Sequence, residues 1–274
     1  MAHWRLTAAL ALVPPGSALA EAPAPPPARM LALTPPAADV AGPLCSAALA
    51  LCIDLVPAEE GLPPHLLVKT GSGDGQRSDN LDLPGLASDD QATLALWDQA
   101  ITVPPAEGGD PHHGDLLIGL RSTTSTPYSG GGAQATRLHL LHLSLQYGSP
   151  RLNGEVVDVP LSSNVLIRAC FSEADMRQRA GACHDEYRSG AAITLTGAVA
   201  DGMPVLGYAI VAESYPGGVS RQEDSLAKGR LRKSDLVWSR DEACSFETTF
   251  AFNPTTRRYE ASEPGPDCSD YDVP

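Results

Sequence analysis

The side chains best suited to catalysis or metal binding lie in the segment 167–187. Within it, Cys183 is followed directly by His184, Asp185 and Glu186. An imidazole beside a carboxylate can act as a general acid/base pair or as a metal ligand. These three residues are therefore the candidate catalytic residues of the sequence, and a solvated polar corner is the alternative interpretation.

The Cys183 thiol is expected to be structural rather than reactive. Adjacent residues of a strand point to opposite faces, so Cys183 and His184 would not meet. The chain contains six cysteines, and an even number in an exported protein indicates disulfide bonds. We expect Cys170 and Cys183 to bond to each other across a short helix.

The other four cysteines allow more than one pairing. Cys244 can bond to Cys268 if the C-terminal tail folds back on the last hairpin. A bond between Cys45 and Cys52 requires the chain to reverse, yet the six residues between them include no Gly, Pro, Asn or Asp. Sequence alone does not choose among the pairings.

Histidines form a second group of candidate residues. His139 and His142 lie in the segment 137–145, which contains five leucines whose alternation slips between the two histidines. A β-bulge there would turn the leucines inward and both histidines outward. Together with His112 and His113 they could then hold Zn²⁺ or Cu²⁺. Because no fixed metal-binding spacing is present, exposed strand histidines are the alternative, and no cofactor is expected.

A short helix is predicted near residues 172–180. Ser172 and Asp175 have the spacing of a capping box, and Gly181 suits the left-handed residue that ends a helix. Apolar runs precede and follow this segment, so the helix is expected to cross between two strands.

The rest of the chain has the pattern of short strands. Apolar runs separated by turn residues recur over residues 44–274, which predicts a single all-β domain of antiparallel sheets. Val-Pro pairs that begin at Val56, Val103 and Val159 form a faint repeat near the period of propeller blades. A large sandwich and an irregular propeller-like arrangement therefore both remain open.

The N-terminal region indicates export. Residues 1–20 combine Arg5, an apolar run and the small-residue site Ala18-Leu-Ala, as in a signal peptide. Residues 21–43 are rich in Pro and Ala, and we expect a linker that forms neither helix nor sheet. The protein is expected in the periplasm or outside the cell, with no membrane span.

Composition and motifs bear on function. A formal net charge of −14 argues against nucleic acid and anionic membranes as partners. No catalytic nucleophile occurs at a recognisable spacing. We therefore expect a non-catalytic exported domain that binds a protein or other macromolecule of the cell envelope. The low aromatic content of 5% favours a protein. The alternative is a hydrolase or lyase that uses His184, Asp185 and Glu186, with or without a metal.

Overall fold

The computed structural model describes residues 27–36, 42–59, 62–71, 73–83, 92–104, 114–146, 149–221 and 229–273. This part of the chain forms antiparallel β-sheets with one short α-helix. The all-β class predicted from the sequence is confirmed. The predicted signal peptide, together with His112 and His113, lies outside the described residues.

Fourteen strands, helix α1 and four short 3-10 helices make up the regular structure of these residues. The first strands are β1 (Met30–Ala32), β2 (Leu44–Ser46), β3 (Leu51–Val56), β4 (His65–Thr70), β5 (Arg77–Asp82), β6 (Ala92–Val103) and β7 (Gly114–Tyr128). They are followed by β8 (Gly131–Gln146), β9 (Ser149–Arg168), α1 (Glu173–Gln178), β10 (His184–Ala200), β11 (Met203–Tyr215), β12 (Ser239–Arg240), β13 (Glu247–Asn253) and β14 (Arg258–Ala261).

The strands form a large sheet of ten and a small sheet of four. The large sheet has the order β1-β6-β7-β8-β9-β10-β11-β13-β14, with β12 paired to β11, and the small sheet follows the chain from β2 to β5. Such a continuous sheet is not divided into blades. The Val-Pro pairs at Val56 and Val103 end strands, whereas the pair at Val159 lies inside β9. The faint repeat therefore does not describe propeller blades.

The apolar parts of the central strands β6–β9 are covered on both faces. On one face, Leu116, Ile118 and Leu120 of β7 pack against the small sheet. On the other, Leu117 of β7 packs with side chains of the later strands, including Tyr208 of β11. Burial on both faces explains why β7 begins as a continuous apolar run rather than an alternating one. The layers pack as in a sandwich.

Helix α1 has the cap that the sequence predicts. The Ser172 hydroxyl accepts a hydrogen bond from the Asp175 amide at 3.1 Å, and the Asp175 carboxylate accepts one from the Phe171 amide at 2.9 Å. The helix ends at Gln178, and Gly181 takes a left-handed conformation with φ of +91°. The predicted helix is confirmed, although it is shorter than expected at its C-terminus.

Part of the predicted linker belongs to the sheet. Met30–Ala32 pair with Gln99–Ile101 of β6, so the expectation that residues 21–43 join no sheet is wrong at these positions. Met30 also packs against the core, and Leu33 is buried. The apolar segment between Pro27 and Pro35 is long enough to add a short strand at the edge of β6.

Three disulfide bonds join all six cysteines, as Cys45–Cys52, Cys170–Cys183 and Cys244–Cys268. The prediction of disulfide bonds is confirmed. The chain reversal between the first pair occurs without the usual turn residues, because Ala50 takes the left-handed conformation with φ of +46° after one turn of 3-10 helix. No helix in the described ranges has the length and apolar composition needed to cross a membrane.

Candidate functional site

Strand β10 separates the three candidate catalytic residues. Its alternation directs His184 and Glu186 to one face and Asp185 to the other. Asp185 is buried and forms an ion pair with Arg179, so its charge is compensated inside the protein. His184 and Asp185 therefore do not form the acid/base pair that their adjacency in sequence suggested.

The buried Arg179 side chain explains why the Asp185 side chain points into the protein. Arg179 is only 1% exposed, and its Nε atom donates a hydrogen bond to the Ala182 carbonyl oxygen at 2.8 Å. This residue lies in the loop that the Cys170–Cys183 bond closes. A buried guanidinium requires a matching carboxylate, so Asp185 attaches the disulfide loop to the sheet.

Glu186 lines an open groove of about 770 Å³ that crosses strands β7–β10. Its cross-strand neighbours are Leu166 of β9, then Gly132 of β8, then Pro127 of β7. Residues opposite one another in antiparallel strands share a face. The next row of the same face is polar and consists of Ser125, Gln134, Asn164 and Arg188. Trp238 also lines the groove.

Two consecutive glycines shape this groove for different reasons. A Cβ atom at Gly131 would lie 2.0 Å from the carbonyl oxygen of Leu166, so the close approach of the backbones requires glycine there. A Cβ atom at Gly132 would come no closer than 3.5 Å to its neighbours. The absence of a side chain at Gly132 is therefore not required by packing, and it keeps the floor of the groove open.

The charged groups of the groove differ in their partners. Arg188 forms an ion pair with Glu213 at 2.7 Å, and its guanidinium lies 4.0 Å from the centroid of the Trp238 ring. The Trp238 ring also contacts Tyr215, with 5.7 Å between the ring centroids. The Glu186 carboxylate, by contrast, has neither a hydrogen bond nor an ion pair to any described residue. The groove thus presents one half-buried carboxylate that is available to a ligand.

The structure contradicts the prediction that His139 and His142 share an exposed face. Strand β8 is regular, so residues three positions apart point to opposite faces. His139 is 8% exposed, and His142 binds the Asp115 carboxylate at 2.9 Å. The bulge lies in β9, which advances two residues while β8 advances one. Both faces of β8 are buried between Leu138 and Leu143, so its leucines do not need to share a face.

His139 instead lies at the centre of a polar cluster on three adjacent strands. Its Nε2 atom is 2.7 Å from the Ser122 hydroxyl of β7, and its Nδ1 atom is 2.9 Å from the Glu155 carboxylate of β9. Arg258 binds the second oxygen of Glu155 at 2.7 Å. Burial by itself would raise the pKa of Glu155, but the hydrogen bonds from His139 and Arg258 outweigh it and lower that pKa.

The same cluster contains side chains that could bind a metal ion. Ligand atoms of His139, Glu155 and Asp158 lie within 4.8 Å of one another. Arg258 and Arg137 bind the two carboxylates at 2.7 and 2.8 Å. A divalent cation would have to compete with both guanidinium groups for the same negative charge, so the arrangement favours a hydrogen-bonded charge network over a metal centre.

Sequence reasoning did not find Ser122 or Glu155. Ser122 and His139 are separated by 17 positions in the chain, and His139 and Glu155 by 16. No local spacing links residues on three different strands, and only the pairing register brings them together. Comparison with protein-family models, curated proteins and solved structures found no match to this chain.

Proposed function

We propose that the chain is an exported β domain that binds an extended segment of a cell-envelope protein in the groove across β7–β10. The observation that carries this proposal is the groove of about 770 Å³ with the unpaired carboxylate of Glu186 in its wall. Export is supported by the three disulfide bonds, which persist in oxidising compartments.

The lining favours a protein segment over a sugar. A sugar-binding tryptophan offers a free ring face for stacking, whereas the Trp238 ring already contacts Arg188 and Tyr215. The lining combines an apolar floor with polar side chains that can bind a peptide backbone. Its apolar side chains are Pro127 and Leu166, and its amide side chains are Gln134 and Asn164.

The width of the groove and its negative charge indicate the length and the charge of the bound segment. Three spacings between neighbouring strands amount to about 14 Å, which four or five extended residues span at about 3.3 Å each. Glu186 would bind a Lys or Arg side chain of this segment. The net charge of −14 also favours approach of a basic partner.

Peptide binding by the disulfide-bonded protein tests this proposal. A set of six-residue peptides with Lys, Gln or Glu at the central position is titrated against the protein at low ionic strength. We expect the Lys peptides to bind at least tenfold more tightly than the Glu peptides. Glu186→Gln should remove that preference, whereas Glu263→Gln, which removes an exposed carboxylate outside the groove lining, should keep it. Equal affinities for all three peptides would overturn the proposal.

The alternative of a hydrolase or lyase at His184, Asp185 and Glu186 is not favoured by this geometry. Asp185 is on the opposite face of β10 from the other two and is paired with Arg179. A catalytic pair would need its two groups within hydrogen-bonding reach of one substrate.

A further inference from the structure

Ser122, His139 and Glu155 lie in the order of a nucleophile, a base and an orienting acid. The two hydrogen bonds, at 2.7 and 2.9 Å, are those that activate a serine in hydrolases of unrelated folds. We propose that Ser122 is the nucleophile of a hydrolytic site for carboxylic esters. This site is separate from the groove and does not depend on the function proposed for it.

The surroundings of His139 hold the imidazole in the orientation that this role needs. Glu155 binds Nδ1, which places the proton of the neutral ring on Nδ1 and leaves Nε2 free to accept the Ser122 proton. Arg258 fixes the other oxygen of Glu155 at 2.7 Å. The lowered pKa of Glu155 keeps this carboxylate charged, so that it stabilises the imidazolium that forms during the reaction.

Arg137 is positioned to stabilise the oxyanion. It lies directly opposite Ser122 in the β7–β8 register, which corresponds to about 5 Å between Cβ atoms on one face. Its Nε atom donates to Asp158 at 2.8 Å. Its terminal N–H groups have no hydrogen-bond acceptor among the residues that the structure describes. A guanidinium at this place can bind the negative oxygen of a tetrahedral intermediate.

The proposed catalytic cycle needs only these side chains and water. The Ser122 Oγ atom attacks the ester carbonyl carbon while its proton passes to Nε2 of His139, and the carbonyl electron pair moves to the oxygen beside Arg137. The carbonyl then re-forms, and the bond from the carbonyl carbon to the leaving alkoxide oxygen breaks. The leaving oxygen takes the proton from His139 and departs as an alcohol. Water next attacks the acyl-Ser122 carbonyl with His139 as base, and His139 then returns that proton to the Ser122 Oγ atom, which releases the carboxylic acid and restores the serine.

Labelling and hydrolysis by the full disulfide-bonded chain test the proposal. A fluorophosphonate probe should phosphonylate Ser122, and peptide mapping should find the adduct on the peptide that contains it. The chain should hydrolyse p-nitrophenyl acetate, and prior phosphonylation of Ser122 should abolish that hydrolysis. An adduct elsewhere, or no adduct, would overturn the proposal.

Two variants separate catalysis from structure. Ser122→Ala should lower kcat for the acetate ester by at least ~10³-fold, with an unchanged melting temperature. Ser78→Ala, which removes an exposed hydroxyl from strand β5, should leave kcat as it is. Arg137→Gln should lower kcat by ~10²-fold or more with little change in KM, and Arg137→Lys should restore part of it. Hydrolysis that persists in Ser122→Ala would refute the assignment.

Discussion

Arg179 and Asp185 form a buried ion pair at the base of the loop that the Cys170–Cys183 bond closes. Both side chains are almost fully inaccessible, at 1% and 8% exposure. Removal of one partner would leave the other charge buried and unmatched, which costs far more than the pair contributes. The pair therefore controls whether the loop can remain packed on β10.

We expect Asp185→Ala to lower the free energy of unfolding by about 3–5 kcal/mol, because the substitution leaves the Arg179 guanidinium buried without its carboxylate. The double variant Arg179→Leu with Asp185→Leu should cost less, since no charge is left buried. Urea unfolding of both variants measures the difference. A double variant that is less stable than Asp185→Ala would contradict this account.

Loss of the disulfide in this loop should also destabilise the protein. Cys170 and Cys183 are 4.8 Å apart between Cα atoms and 13 positions apart in the chain. Cys170→Ala combined with Cys183→Ala should lower stability by roughly 2–5 kcal/mol, which thermal unfolding would report. Phe171→Ala, at the 71% exposed residue after Cys170, serves as the control and should change stability little. If peptide mapping joins either cysteine to another partner, the Cys170–Cys183 bond does not exist.

We expect the protein to lose stability in acid as the Glu155 carboxylate becomes protonated. Its folded pKa lies below the ordinary value of 4.5, so the charged form is favoured by folding. Such a group stabilises the protein above its unfolded pKa, and the contribution disappears as the pH falls through the lower folded pKa. Glu155→Gln should therefore show a smaller loss of stability below about pH 4.5 than the parent chain. Parallel stability–pH curves for the two proteins would exclude this role.

The two groove glycines should respond oppositely to substitution. Gly131→Ala forces a Cβ atom to 2.0 Å from a backbone oxygen, so we expect a loss of more than about 2 kcal/mol in stability. Gly132→Val should keep the fold, because a Cβ there has space, but should fill the groove and weaken Lys-peptide binding at least tenfold. Thermal unfolding and peptide titration check the pair. Peptide binding that survives Gly132→Val would place the binding site elsewhere.

The sequence by itself determined the features that depend on local pattern. Alternation and turn residues identified most strands, and the spacing of Ser172 and Asp175 identified the cap of α1. The parity of the cysteines indicated disulfide bonds, and the short helix between Cys170 and Cys183 indicated their pairing. Each of these signals comes from local spacing or from composition, so it can be recognised without knowledge of the tertiary contacts.

Only the tertiary structure decided which polar side chains meet. Asp185 and His184 are adjacent in sequence yet face opposite sides of the sheet, whereas Ser122, His139 and Glu155 come together from three strands. The bulge that sequence alternation placed in β8 lies in β9, because layers on both faces of β8 remove the need for its leucines to share one side. Register and layering depend on contacts between distant segments, and no local pattern encodes them.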